Sequence, residues 1–158
     1  CAIMKIQLCY ASTRNLQSED LLQDLNDILT IARDFNSRHD ICGVLYYADG
    51  SFFQCLQGEK EVVEALFANI CKDERHCEII SFEIMEIEET KFKDWSMKYV
   101  QRNSEINKFF KKMNFKMFSP SALDDKTLPV FLNHLYDADQ AQIKQRVGMN
   151  NRGVNKYI

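Results

Sequence analysis

With 158 residues, 46% of them hydrophobic and 27% charged, the chain has the make-up of one compact domain with a sizeable core and a short appendage. Its 20 basic and 23 acidic residues leave a net charge of -3, which gives no general attraction for nucleic acid or an anionic membrane surface. No apolar run approaches the ~20 residues of a bilayer crossing, and the N-terminus carries no apolar signal core, so the sequence reads as cytoplasmic.

Met4 reads as the native start, with Cys1, Ala2 and Ile3 an addition ahead of it. Residues 3–11 (IMKIQLCYA) alternate as a strand, with Ile6, Leu8 and Tyr10 on one face and Gln7 and Cys9 on the other. Ser18, Glu19 and Asp20 look like a helix start, an oxygen cap followed by first-turn acids. Leu21, Leu22, Leu25, Ile28, Leu29, Ala32 and Phe35 then recur at helical spacing as far as Asn36. The run ICGVLYY at 41–47 is expected of a strand buried on both faces. Asp49-Gly50 signals a tight hairpin turn, with SFFQCLQ at 51–57 returning as the next strand and Gly58 ending it. Val62, Val63, Leu66, Phe67 and Ile70 mark a second amphipathic helix.

Residues 78–88 predict a fourth strand, with a bulge where the apolar phase shifts between Ile84 and Met85. Residues 92–101 (FKDWSMKYVQ) predict a fifth, with Trp95, Met97 and Tyr99 on one face. The fold expected is therefore α+β, a ferredoxin-like β-α-β-β-α-β-β sandwich with a five-stranded mixed sheet and two helices on one face. Beyond about residue 103, Ile106, Phe109, Phe110 and Met113 suit one short helix, and Val130, Leu132, Leu135 and Tyr136 another. Pro120 and Pro129 are expected to bracket the connection between them. These short C-terminal helices should cover the other face of the sheet, where Phe53 and Cys55 would otherwise meet water. The organisation predicted is a domain over 4–101, a helical extension over 102–148, and a tail over 149–158.

The cysteines are Cys1, Cys9, Cys42, Cys55, Cys71 and Cys77. None forms a C-x-x-C pair and no His pair matches them, so no metal site is expected. Cys9, Cys42 and Cys55 lie in apolar strand-like runs and read as reduced, buried thiols. The lysines at 108, 111, 112 and 116 are spread over helical turns and read as a solvated face. His39 reads as a loop residue and His134 as a residue on a helix face.

Strand parity and helix spacing bring three polar side chains together. Tyr10 faces the same way as Ile6 and Leu8, Gln54 sits between Phe52 and Leu56, and Asn36 ends the first helix on its apolar face. A phenol and two amides among apolar neighbours describe a pocket for a planar, hydrogen-bonding ring, and no acid/base pair suited to hydrolysis accompanies them. Each also has a plainer reading. Buried tyrosines usually just satisfy their hydroxyls, a mid-strand glutamine often faces outward, and Asn36 could simply terminate its helix. Residue spacing alone leaves both readings open.

The segment IQLCYAS at 6–12, Asn36, the run ICGVLYYADGSFFQCLQG at 41–58, KDERH at 72–76 and FKDWSM at 92–97 together resemble the BLUF family, sensors of blue light using flavin. The resemblance covers about residues 4–101, with several motifs agreeing in order and spacing. It implies a photoreceptor rather than an enzyme, with noncovalent flavin between the two helices: FAD, or FMN or riboflavin in its place. It implies the photoactive tyrosine at Tyr10, the switching glutamine at Gln54, and the asparagine that bonds the flavin's pyrimidine edge at Asn36. Ile28, Leu45, Phe52 and Ile70 match apolar positions enclosing the ring. Asp73, Arg75 and His76 match the stretch beside its other rim and ribityl chain. Trp95 and Met97 match the pair that couples the pocket to the sheet. The family's cycle, electron transfer from tyrosine, proton movement through glutamine and return to a rearranged network, implies output to downstream regulatory proteins, with self-association a further expectation. No direct nucleic-acid or membrane contact is implied. The rival readings are a flavin-free interaction module on the same fold and a redox flavoenzyme, the latter weakened by the lack of a G-x-G-x-x-G loop. Two residues depart from the family's pattern. Gln57 stands where Glu is common, on the face opposite Gln54, and Phe35 stands where many relatives are polar.

Overall fold

In a computed structural model, residues 4–15, 20–74 and 76–141 are described, so the expected Ser18 cap, Arg75 and the tail over 149–158 lie outside the described residues. The strands are β1 (Lys5–Arg14), β2 (Cys42–Ala48), β3 (Ser51–Glu59), β4 (His76–Ser81), β5 (Met85–Ile87) and β6 (Lys98–Val100). Helices α1 (Leu21–Arg38) and α2 (Lys60–Ile70) follow β1 and β3, and α3 (Ser104–Lys112) and α4 (Thr127–Asp137) follow the last strand. The sheet order is β4-β1-β3-β2-β6, with β5 also paired to β1. All pairings are antiparallel except β2 with β6. This is the ferredoxin-like mixed sheet that the sequence predicts. The phase shift near Ile84 appears as a break in the fourth strand, which resumes along β1 as β5.

Two apolar layers sandwich the sheet. Ile6, Leu8, Tyr10, Leu45, Phe52 and Leu56 pack with Leu25 and Leu29 of α1 and Val63 of α2. On the opposite face, Cys9, Val44, Tyr46, Phe53 and Cys55 pack with Ile106, Phe110, Phe131 and Leu135 of α3 and α4. Burial on both faces is why β2 and β3 lack a polar alternation. Asp49 and Gly50 have positive φ values of 52° and 81°, the two-residue turn whose twist suits the flanking strands. At Gly43 the strands come so close that a Cβ would lie 2.0 Å from the Cys55 carbonyl oxygen, which leaves glycine alone without a collision.

Three expectations are corrected. The first helix is capped by Asp20, whose carboxylate accepts the Gln23 N–H at 3.1 Å, making Asp20 the cap rather than a first-turn acid. Pro129 lies within the first turn of α4 rather than in the connection, a position where no intrahelical N–H bond is lost. The fifth strand is short, because residues 91–94 form turns held by a side chain: Gln57 Oε1 accepts the Lys91 and Phe92 N–H groups at 2.8 and 3.1 Å. The Trp95 N–H then closes on the Phe92 carbonyl at 2.9 Å. Strand alternation therefore does not extend back to Trp95, which packs on the α4 side while Met97 and Tyr99 face α1 and α2.

Asp49 fastens the extension to the hairpin, accepting the Phe118 N–H at 2.8 Å and pairing with Arg102. Phe131 is the hub of that layer, in ring contact with Tyr46, Phe53, Phe109, Phe110 and Phe118. Its complete burial means that Phe131→Ala leaves a large void, with an expected loss of about 3–5 kcal/mol in urea unfolding. A loss under about 1 kcal/mol would show that the extension does not belong to the cooperative core.

Candidate functional site

A cavity of about 210 Å3 opens between α1 and α2 above the middle of the sheet. Its walls follow helical spacing: Ile28, Ile31, Ala32, Phe35 and Asn36 from α1, and Leu66, Asn69 and Ile70 from α2 with Asp73 beyond it. Its floor is Tyr10, Leu45, Phe52 and Gln54, with His76 at one side. Of the residues singled out in the sequence, Tyr10, Ile28, Asn36, Leu45, Phe52, Gln54, Ile70, Asp73 and His76 all line it. Met97 lies directly beneath Gln54, whereas Trp95 is on the far side of the strand. Ile31, Ala32, Leu66 and Asn69 line it as well, without being marked by any motif in the sequence. Each lies three or four positions from a residue singled out in the sequence, and that spacing was the available signal.

The β1–β3 register sets Tyr10 directly opposite Gln54. The Tyr10 hydroxyl donates to Gln54 Oε1, and Gln54 Nε2 reaches the Met97 sulfur at 3.6 Å. One end of the amide thus has a strong partner and the other only a weak thioether acceptor. Burial first, then the charges of Asp73 and Cys71, push the Tyr10 phenol far above its usual range, so the ring is neutral and a donor.

Asn36 is completely buried near the end of α1. Its main-chain carbonyl accepts the His39 and Ile41 N–H groups at 3.2 and 3.0 Å, which completes the helix end. Its side chain does something further. Nδ2 donates to the Ser96 carbonyl at 2.7 Å, and Oδ1 is left without a partner while the residue lines the cavity. Because Ser96 offers only an acceptor, the amide orientation is chemically fixed, and Oδ1 is the atom awaiting a donor. Arg33 Nε adds a bond to the Met97 carbonyl at 3.0 Å, so α1 holds the segment leading into β6 at two points.

His76 bridges the other side. Its Nε2 lies 2.9 Å from the Ile70 carbonyl and must donate to it, which leaves Nδ1, 2.8 Å from Ser12 Oγ, to accept in the neutral ring. The ring stands edge-on to Tyr10 and Phe52 at 5.9 and 6.2 Å. Gln57, one of the two departures noted above, lies on the far face and carries the turn at residues 91–92 together with a bond to Gln7 Oε1 at 2.9 Å. Phe35, the other, stacks on His39 at 4.0 Å and lines the cavity.

Folding also raises the phenols of Tyr46 and Tyr99 above their usual value near 10, in both cases chiefly through burial. A raised phenol stabilises the fold fully below about pH 10, and that contribution is lost as the pH climbs through the folded-state values. Resistance to denaturant should therefore fall progressively above pH 10, and Tyr10→Phe should blunt the slope. An unchanged alkaline slope in that variant would mean that Tyr10 is solvated.

Comparison with known proteins bears on the same residues. The family model described as sensors of blue light using FAD matches residues 6–98. A solved structure of BlsA in its ground state is 55% identical, with a TM-score of 0.87 over 94% of this chain and 100% of that one. BlsA in its photo-activated state gives 56% identity and a TM-score of 0.86, over 88% of this chain and 99% of that one. The blue light- and temperature-regulated antirepressor BluF of Escherichia coli (strain K12) is 30% identical over 77 residues, 49% of this chain and 19% of that protein. The matched segment is thus about a fifth of that curated relative's length.

Proposed function

The chain belongs to the BLUF family, the sensors of blue light using FAD, and from that membership we propose that the cavity between α1 and α2 holds the flavin ring of FAD and that light is read out by the Tyr10–Gln54 pair. The observation that carries this reading is the bond from the Tyr10 hydroxyl to Gln54 at the floor of an otherwise apolar cavity. The residues fit the group. The orphaned Asn36 Oδ1 calls for an N–H such as the flavin's pyrimidine edge presents, and Ile28, Leu45, Phe52 and Ile70 supply apolar walls for the fused rings. Asp73 and His76, which line the same cavity, would supply polar contacts to the other rim of the ring and to the ribityl chain.

The flavin supplies visible absorption and, once excited, an electron acceptor. The protein's share is a hydrogen-bond network with two arrangements of similar shape. The Tyr10 hydroxyl can donate or accept, and the two ends of the Gln54 amide are nearly the same size. Reversing the amide offers Nε2 to the Tyr10 oxygen and turns Oε1 away, at little steric cost because the two ends are nearly the same size, and it gives up only the weak N–H contact to the Met97 sulfur. In so dry a place an unmet polar atom costs roughly 1–3 kcal/mol, enough to bias two states that differ modestly. Ground-state and photo-activated BlsA superpose on this fold almost equally well, which supports a local switch rather than a change of fold.

The route outward in this reading is the segment that runs through Met97 into β6. Met97 touches Gln54 on one face, and on the other the buried Lys98 ammonium bonds the Tyr136 carbonyl of α4 at 2.6 Å and lies 4.2 Å from the centre of the Trp95 ring. Burial pushes that ammonium below its usual range, against the opposing pull of Asp137 and Asp139. The output we infer is contact between the α3–α4 face and a regulatory protein partner in the cytoplasm, without substrate turnover by this chain. Among the described residues no helix is long and apolar enough to cross a membrane.

The direct test is the visible spectrum of the FAD-loaded protein in darkness and after blue light. A small red shift that decays in the dark, and that is lost in Tyr10→Phe, is the expected result. Bleaching to reduced flavin would contradict the proposal. Asn36→Ala should weaken FAD binding about tenfold, as measured by quenching of flavin fluorescence, because it removes the acceptor at the pyrimidine edge.

A further inference from the structure

On the other side of the sheet, a cavity of about 120 Å3 lies between the β2–β3 hairpin, α3 and the segment 115–118. Tyr46 reaches it from β2, completely buried, and its O–H finds no acceptor. Arg102 acts on that phenol by its charge and as a donor to its oxygen, and it also pairs with Asp49, whose other oxygen takes the Phe118 N–H at 2.8 Å; Arg102 can accept nothing from the Tyr46 O–H. The carboxylate in the wall is therefore already spent. The surroundings are otherwise aromatic below and cationic above. Phe118 stands edge-on to Tyr46 at 4.7 Å and to Phe110 at 5.2 Å, while Lys111 and Lys116 line the mouth beside Asn107. Among the described residues neither lysine is paired with a carboxylate.

We propose that this cavity is a second binding site, for a carboxylate on a short apolar stem, with the Tyr46 hydroxyl donating to one oxygen and Lys111 and Lys116 supplying the countercharge. The volume equals the share of about four waters, enough for an acid of propionate size. Inorganic phosphate suits it poorly, because an anion polar on every side would lie against Phe110 and Phe118. A phenol held neutral by burial, pushed up to about 12, is a donor at any physiological pH and so matches an acceptor. The occupant would join α3 to the hairpin and tighten the extension on the face opposite the flavin cavity. A free short-chain acid and the glutamate side chain of a partner protein share this chemistry.

The test uses the flavin-loaded full chain, titrated by NMR with propionate, with propanol as a neutral counterpart, and with a capped Ala-Glu-Ala peptide. Propionate should shift the amides of Asn107, Lys111 and Phe118 saturably, and propanol should not. Tyr46→Phe should weaken propionate about five- to tenfold, with its flavin spectrum reporting that the fold is intact. Lys116→Gln, at an exposed position, should also weaken it. Tighter binding of the peptide would identify a partner's glutamate as the source, and tighter binding of propionate a free acid. A response that fails to saturate, that propanol reproduces, or that both variants leave unchanged would overturn the proposal and leave a water-filled gap.

Discussion

Everything else in the molecule depends on a tyrosine hydroxyl and a glutamine amide held face to face where water is excluded. Neither residue is unusual alone. What makes them a pair is the antiparallel register of β1 and β3, which brings Tyr10 opposite Gln54 and, one residue back on the other face, Cys9 opposite Cys55. A slip of one residue in that register would turn one of the two polar groups into the opposite layer and part the pair. Register is therefore the quantity that the rest of the fold protects. The Arg14 N–H bonded to the Gly50 carbonyl at 2.8 Å holds it at one end, and the Lys60 N–H bonded to the Met4 carbonyl at 3.0 Å holds it at the other.

The second constraint is that the segment entering β6 belongs to both layers. The segment from Trp95 to Lys98 is fastened to α1 through the Ser96 and Met97 carbonyls, to Gln54 through the Met97 sulfur, and to α4 through the Lys98 ammonium. Side chains on one side of it feel the cavity, and those on the other hold the extension. Such a segment cannot move on one face without disturbing the other, because cores this closely packed tolerate few intermediate positions. A small change at one amide can then matter some distance away.

Much of this was legible in the sequence wherever a regular element carried the information. Alternation along residues 6–10 and 52–56 placed Tyr10 and Gln54 correctly, because those strands are unbroken and one side of each faces the cavity. The amphipathic stripe of α1 brought Asn36 to the same place. Alternation failed at Trp95, where the Gln57 side chain, rather than a neighbouring strand, satisfies the backbone at residues 91 and 92. Nothing local in the sequence marks a glutamine as a loop anchor, and the bond spans more than thirty positions. The cavity around Tyr46 was equally hidden. It exists only because α3 and residues 115–118 close over a strand whose apolar run gives no sign of which side chain meets a void.

The measurement that reaches the central claim most directly is the light-minus-dark infrared difference spectrum of flavin-loaded protein whose glutamine side-chain amides carry 13C and 15N. The account expects a reversible amide band that moves with the label and disappears in Gln54→Leu, because Gln54 is the amide whose partners are exchanged. A light-induced spectrum without a label-sensitive glutamine band, or one that Gln54→Leu leaves intact, would contradict it and move the switch away from the Tyr10–Gln54 pair.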